Sequence, residues 1–165
     1  MKGSESFTMK DVSYPELSSW ATVAIVGTML IYYLNKLSNL DMAGTLNTVT
    51  HNKLLVVIVA VTIVTEIIFQ IIVAISKKIE AEAKLDERDQ LFMSKATQVS
   101  SNFIFGFIAI VILVVSQSDW LIEQLSLNLR GLAPKDVLLS ILVVGFGLGQ
   151  LIHHFSLAMY YRKGS

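Results

Sequence analysis

Four runs of apolar residues, at about Trp20–Leu34, Leu54–Ile75, Phe103–Val115 and Val137–Met159, are separated by segments that collect charged and turn-forming residues. A helix needs about 20 apolar residues to cross the ~30 Å hydrocarbon core of a bilayer. The second and fourth runs are long enough. The first and third become so once uncharged Ser18, Ser19 and Asn35, or Ser100, Ser101 and Gln117, are counted into the span. The pattern predicts an all-α integral membrane protein, a four-transmembrane-helix bundle. Its helices are expected at about 19–37, 53–84, 87–117 and 136–161, within a membrane domain of 19–163 that follows a leader of 1–18. The leader mixes Glu5, Asp11 and Glu16 with Lys2 and Lys10. A cleaved signal peptide has a cationic, acid-poor start, so the first helix reads as a retained anchor.

Between the spans, Asn39–Asn52 is rich in Thr, Asn and Gly and reads as a loop. Asp119–Leu129 places Trp120, Leu121, Leu125 and Leu129 near one helical face and predicts a short helix lying at the interface. In the middle segment, helix formers continue to Lys84, with Glu80 and Lys84 in the favourable i, i+4 order, so the second helix is expected to project beyond the membrane. Asp86 followed by Asp89 has the form of an N-cap with an acidic first turn, starting the third helix near Glu87. The two halves look like repeated helical hairpins. Ser19 and Lys53 are matched by Ser101 and Lys135, and Glu66 and Gln70 by Gln150 and His154, at offsets of 82 to 84 residues.

Composition sharpens the picture. The chain has 165 residues, 53% hydrophobic and 16% charged, with mean hydropathy +0.61, whereas soluble domains are about 25% charged. Thirteen Lys+Arg balance thirteen Asp+Glu, which leaves no positive field for direct nucleic-acid binding. The absence of cysteine excludes disulfides, thiol nucleophiles and thiolate metal sites. Lysine and arginine are concentrated in the leader, the middle loop and the tail, against only Lys36, Lys53, Arg130 and Lys135 in the other two loops. The positive-inside rule then puts both termini and the middle loop in the cytoplasm.

Lys84-Leu85-Asp86-Glu87-Arg88-Asp89, with Tyr160-Tyr161-Arg162-Lys163-Gly164 closing the fourth helix, resembles a family of small uncharacterised four-helix bacterial inner-membrane proteins. Those proteins carry an Asp-Glu-Arg-Asp/Glu motif in the same loop and a Tyr-Tyr-Arg-Arg-Gly-like tail. The likeness covers most of the region from Lys53 onward and is thin in the first 18 residues. The chain departs from it in lacking further arginines after the motif and in carrying His153-His154. The resemblance implies a bacterial inner-membrane location and pairing with a cytoplasmic regulatory protein, a transcriptional regulator in particular, and brings no activity with it. Asp86, Glu87, Arg88 and Asp89 are then the partner-binding candidates. Spacing alone reads the same residues as a solvated turn with a good cap.

Inside the membrane, Glu66 lies thirteen residues from Lys53 and ten from Ser76. An ionisable group at that depth costs on the order of 2.5–3.5 kcal/mol on insertion scales and turns toward a bundle interior or cavity. Thr62, Glu66, Gln70 and Val73 share a helical face, so a polar stripe is expected to point inward. Two readings remain open: a carboxyl hydrogen-bonded to another helix, or a ligand, proton or ion site. On the fourth helix Gly145, Gly149, His153, Ser156 and Tyr160 share one face and Gln150, His154 and Tyr161 an adjoining one. Val144, Leu148, Leu151, Ile152 and Phe155 form the side expected to meet lipid.

Gly145 and Gly149 suggest close helix contact and a homodimer. His153 and His154 offer polar packing, a proton role or a small-ligand site, and haem iron ligation by either imidazole is a further alternative. The ligand-binding candidates are Glu66, Gln70, Gln150, His153 and His154. No hydrolase elbow, phosphate loop or metalloprotease motif occurs, and the expected function is non-enzymatic. It is a regulatory or sensory membrane protein docking a cytoplasmic partner through the 86–90 hairpin; the alternative is a small transporter or channel using the polar residues of helices two and four.

Overall fold

The computed structural model describes residues 13–76, 87–117 and 132–164. They form four helices: α1 (Tyr14–Met42), α2 (Thr48–Ser76), α3 (Glu87–Gln117) and α4 (Pro134–Gly164). Each has 29 or 31 residues, a length of about 43–46 Å at 1.5 Å per residue, more than the hydrocarbon thickness. All four are long and apolar enough to span a membrane, and the chain is a multi-pass helical membrane protein with a four-helix bundle. One end of the bundle holds the start of α1 and the end of α4, and is called the terminal end below. The other, the loop end, holds the α1–α2 turn.

The helix boundaries differ from the sequence expectation for a physical reason: polarity marks where the membrane stops, not where a helix does. α1 starts at Tyr14 with Pro15 in its first turn, where a missing N–H costs nothing, and runs on through polar Asn35–Asp41. It stops in a Schellman motif. Gly44 takes φ +66°, Thr45 N–H donates to the Leu40 carbonyl at 3.0 Å, and Gly44 N–H to that of Asp41 at 3.0 Å. Asn47 then caps α2. Its Oδ1 accepts from the amides of Val49 and Thr50, both at 3.0 Å, and Thr50 Oγ1 accepts from the Asn47 amide at 2.9 Å. The expected loop over Asn39–Asn52 thus shrinks to residues 43–47. α4 begins at Pro134, two residues before the expected start. The projection of the second helix over 77–84, the Asp86 cap and the interfacial helix over 119–129 lie outside the described residues.

In cross-section the helices stand in the order α2, α1, α4, α3, with α1 and α4 packed on each other at the centre. The most apolar stretches of α1 and α4 are 28% and 22% buried, those of α2 and α3 only 11% and 6%, so the flanking pair supplies the lipid-facing surface. α2 touches α4 only slightly, and α2 and α3 form no comparable contact. A two-fold relation between the hairpins would map the α1–α4 contact onto an α3–α2 contact, so the likeness of the halves does not extend to their packing.

The α3–α4 contact uses glycine as a socket. A Cβ on Gly149 would come within 2.8 Å of Ile104, and one on Gly145 would collide with the Phe107 ring. The face expected to serve a dimer is therefore filled by α3 of the same chain. The α4 side expected to meet lipid is also partly covered: Leu151 lies against Gly27, and Phe155 meets Trp20 edge-on with centroids 5.8 Å apart.

Candidate functional site

The polar stripe of α2 does turn inward, onto α1. Ser18 Oγ donates to Gln70 Oε1 at 2.7 Å, Gln70 Nε2 donates to Thr22 Oγ1 at 3.2 Å, and Thr22 Oγ1 donates to Glu66 Oε1 at 3.3 Å. Donor and acceptor alternate along this chain, so each bond polarises the next. The ladder holds α1 to α2 where van der Waals packing alone gives no advantage over lipid. Thr62 instead returns its hydroxyl to the Ile58 carbonyl at 2.7 Å.

Glu66 ends the ladder at the wall of a cavity of about 600 Å³, a groove between α2 and α4 floored by α1. The walls are apolar over most of their length, from Tyr33 and Leu139 at the loop end through Leu30, Ile58 and Phe146. Glu66 and Gln150, facing in from α2 and α4, give it polar character at the far end. α2 and α4 barely touch below the loop end, so the groove is open sideways, toward lipid. Gln70 lines a separate shallow recess with Tyr14 and Ala74, and Glu66 borders both.

Of the five ligand candidates, then, Glu66 and Gln150 share the groove, and Gln70 supports it through Thr22. His153 and His154 do not line it. They lie one turn farther along α4, half-buried, their rings edge to face at 4.9 Å, with Nδ1 of His154 buried and without a hydrogen-bond partner. Among the described residues no group of three or more His, Cys, Asp or Glu gathers to hold a metal ion.

The groove is sealed at the loop end by a buried polar cluster that sequence reasoning missed. Tyr33 and His51 are fully buried, Ser140 and Asp136 nearly so. The Tyr33 hydroxyl donates to Ser140 Oγ at 2.9 Å, His51 Nε2 lies 2.7 Å from the same oxygen, and Ser140 donates to the Asp136 carbonyl at 3.0 Å. Hydrogen-bond arithmetic assigns the tautomer. With the proton on Nε2, Ser140 accepts two bonds and donates one, and the unpartnered Nδ1 of His51 is a lone pair. With the proton on Nδ1, a buried donor would be orphaned, which is costlier.

Beside this cluster Thr48 Oγ1 donates to Asp136 Oδ2 at 2.6 Å. Thr48 and Asp136 lie in the first turns of α2 and α4, so the carboxyl sits between two parallel helix N-termini whose positive ends it offsets. Tyr33 and Ser140 each interrupt an apolar run, whereas His51 stands among polar Thr50, Asn52 and Lys53, so no pattern within one helix signals that the three meet.

At the terminal end the two motifs that carry the family resemblance meet. Tyr161 donates its hydroxyl to Asp89 Oδ1 at 2.9 Å. Phe92 stacks on Tyr160 and meets Tyr161 edge-on, with centroids 6.1 and 5.3 Å apart, and the Arg88 guanidinium lies 5.3 Å above the Phe92 ring. Gly164 packs against Arg88 and Phe92. Asp89 is thus half-buried in a clamp between α3 and α4, while Glu87 and Arg88 are exposed; Asp86 lies outside the described residues. Tyr161→Phe is expected to weaken this clamp by roughly 1–2 kcal/mol and to speed amide hydrogen exchange over residues 87–92 with little change farther along α3. Exchange as slow as in the parent would show that the Tyr161–Asp89 bond does not hold this end of α3. No family model, curated protein or solved structure matches this chain.

Proposed function

We propose that this is a non-enzymatic regulatory protein of the bacterial inner membrane, its terminal end in the cytoplasm, which takes up a lipid-soluble ligand in the groove between α2 and α4. The observation that carries the reading is the groove itself: an apolar trough open toward lipid, with a carboxyl and a carboxamide in its lining at one end. That arrangement suits a molecule with an apolar body and a hydroxyl, carbonyl or amine at its tip, entering sideways from the bilayer. The seal of Tyr33, His51 and Ser140 at the loop end favours this over an open channel, which needs a path through both ends.

α4 connects the groove to the cytoplasmic hairpin. It lines the groove from Leu139 to Gln150 and holds Asp89 through Tyr161 eleven residues farther on. A ligand that displaces α4 thereby acts on the position of exposed Glu87 and Arg88, the charged pair available to a partner. The family resemblance makes a transcriptional regulator the natural partner.

A long-chain alcohol bearing a diazirine, added to the protein in lipid nanodiscs and photolysed, tests the site. It is expected to label residues of α2 and α4 around the groove, saturably and in competition with unlabelled alcohol. Glu66→Leu and Gln150→Leu should each raise the concentration for half-labelling about tenfold, the equivalent of ~1.4 kcal/mol. Equal, non-saturable labelling of the groove and of the lipid-facing side of α3 would overturn the proposal.

A further inference from the structure

The side of α3 turned away from α4 carries two carboxamides one turn apart, Gln98 and Asn102. Both are exposed, and neither has a hydrogen-bond partner among the described residues. Asn102 lies seven residues beyond Lys95, the last charged residue of α3, and so about 10 Å farther along the helix axis. At that depth there is no water to satisfy a primary amide, and an amide without a partner in an apolar medium costs several kcal/mol. One turn on, Gly106 has nothing within 4 Å of where a Cβ would stand, and Ala109 after it is small and exposed.

We propose that this face of α3 pairs with the same face of a second copy of the chain. Two copies inserted with the same orientation are related by an axis along the membrane normal, so every residue at their contact meets residues of its own depth. Asn102 then meets Asn102 of the second copy. A carboxamide carries both donors and an acceptor, which makes it its own complement; a chain of different sequence would have to place a matching amide at that level. Gly106 and Ala109 let the two backbones approach closely enough for the amide–amide bonds to form. Lys95, at the margin of this face, repels its counterpart and restricts the contact to the membrane side of its own position. The proposal stands apart from the groove and its ligand, since α3 contributes nothing to the groove lining.

The chain has no cysteine, so single introduced cysteines report contacts cleanly. Ala109→Cys in native membranes, oxidised with copper phenanthroline, is expected to give a disulfide-linked dimer. Ile67→Cys, on the lipid-facing side of α2 where Ile67 is 55% exposed, is expected to give little. Adding Asn102→Leu to Ala109→Cys should lower the cross-linked fraction about fivefold without moving the thermal midpoint of the protein diluted to the monomer in detergent, because Asn102 makes no contact that the fold of one chain depends on. Three results would each overturn the proposal: cross-linking at position 67 equal to that at 109, insensitivity to Asn102→Leu, or cross-links at 109 to other proteins only. A lowered midpoint in the Asn102→Leu variant would instead place the amide within the fold of one chain, and would count against it equally.

Discussion

Gly145→Ala is expected to lower the thermal midpoint of the detergent-solubilised protein, whereas Gly27→Ala leaves it unchanged or raises it. Both glycines lie in the interior of a transmembrane helix, and both substitutions add one methyl. At Gly27 that methyl finds only Leu151 Cδ2 at 3.8 Å, an ordinary contact, and alanine is the better helix former by about 1 kcal/mol. At Gly145 the methyl collides with the edge of the Phe107 ring. That ring is held by its neighbour Phe103, stacked at 6.2 Å with planes 14° apart, so it has little freedom to swing aside. Overpacking of this kind costs on the order of 1–3 kcal/mol, and here it acts on the contact that fastens α3 to the rest of the bundle. Equal shifts for the two variants would show that Phe107 does not occupy the Gly145 socket.

The second large effect is expected at Ser140, the shared acceptor of the loop-end cluster. Ser140→Ala removes the acceptor shared by the Tyr33 hydroxyl and the His51 Nε2–H; with the two 3.3 Å apart, His51 can turn its N–H onto the Tyr33 oxygen, which leaves the buried tyrosine proton unsatisfied at a cost of about 1–3 kcal/mol. Tyr33→Phe removes one donor and leaves Ser140 accepting from His51, at a cost of roughly 1 kcal/mol. The pair should be strongly non-additive. Once Ser140 is gone one donor of the Tyr33–His51 pair is unsatisfied with or without the Tyr33 hydroxyl, so the double variant is expected to be about as stable as Ser140→Ala alone. Unfolding from bicelles by titration with a denaturing detergent provides the measurement, and simple additivity would remove Ser140 as the hub.

The four spans were legible because the requirement behind them is coarse: enough apolar residues in a row to cross the bilayer. The inward turn of Glu66 and Gln70 was legible for a related reason, since a polar stripe at helical spacing has to face something other than lipid. What it faces was not. Ser18 and Thr22 look unremarkable in a sequence, and the Ser18–Gln70–Thr22–Glu66 ladder arises only from the register of α1 against α2. The same holds for Gly145 and Gly149, whose spacing announces close approach without naming the helix that approaches. His51 has no other histidine near its end of the bundle. Its partners are instead a tyrosine and a serine from two other helices, and periodicity within any single helix says nothing about such a meeting. The motif over 86–89 shows the converse case. Its spacing allowed either a cap or a docking surface; in the structure Asp89 is tied to Tyr161 of another helix, a contact that spacing within one segment does not announce, and Glu87 and Arg88 are exposed.

Helices enter the membrane in the order in which they are synthesised, so the spatial order α2, α1, α4, α3 imposes a schedule on assembly. The α1–α2 hairpin can close as soon as it is made, because its Ser18–Gln70–Thr22–Glu66 ladder needs no other helix. At that stage Tyr33 and His51 have only each other, 3.3 Å apart, and the flank of α1 that will receive α4 lies against lipid. α3 arrives next and finds no docking surface, since its extensive contact is with α4 alone. The last 31-residue helix completes both halves at once, bringing Ser140 to the waiting pair and the glycine sockets to Phe107 and Ile104. A nascent chain cut short before Pro134 would therefore hold a closed hairpin beside an undocked third helix, inserted across the bilayer but not yet folded within it.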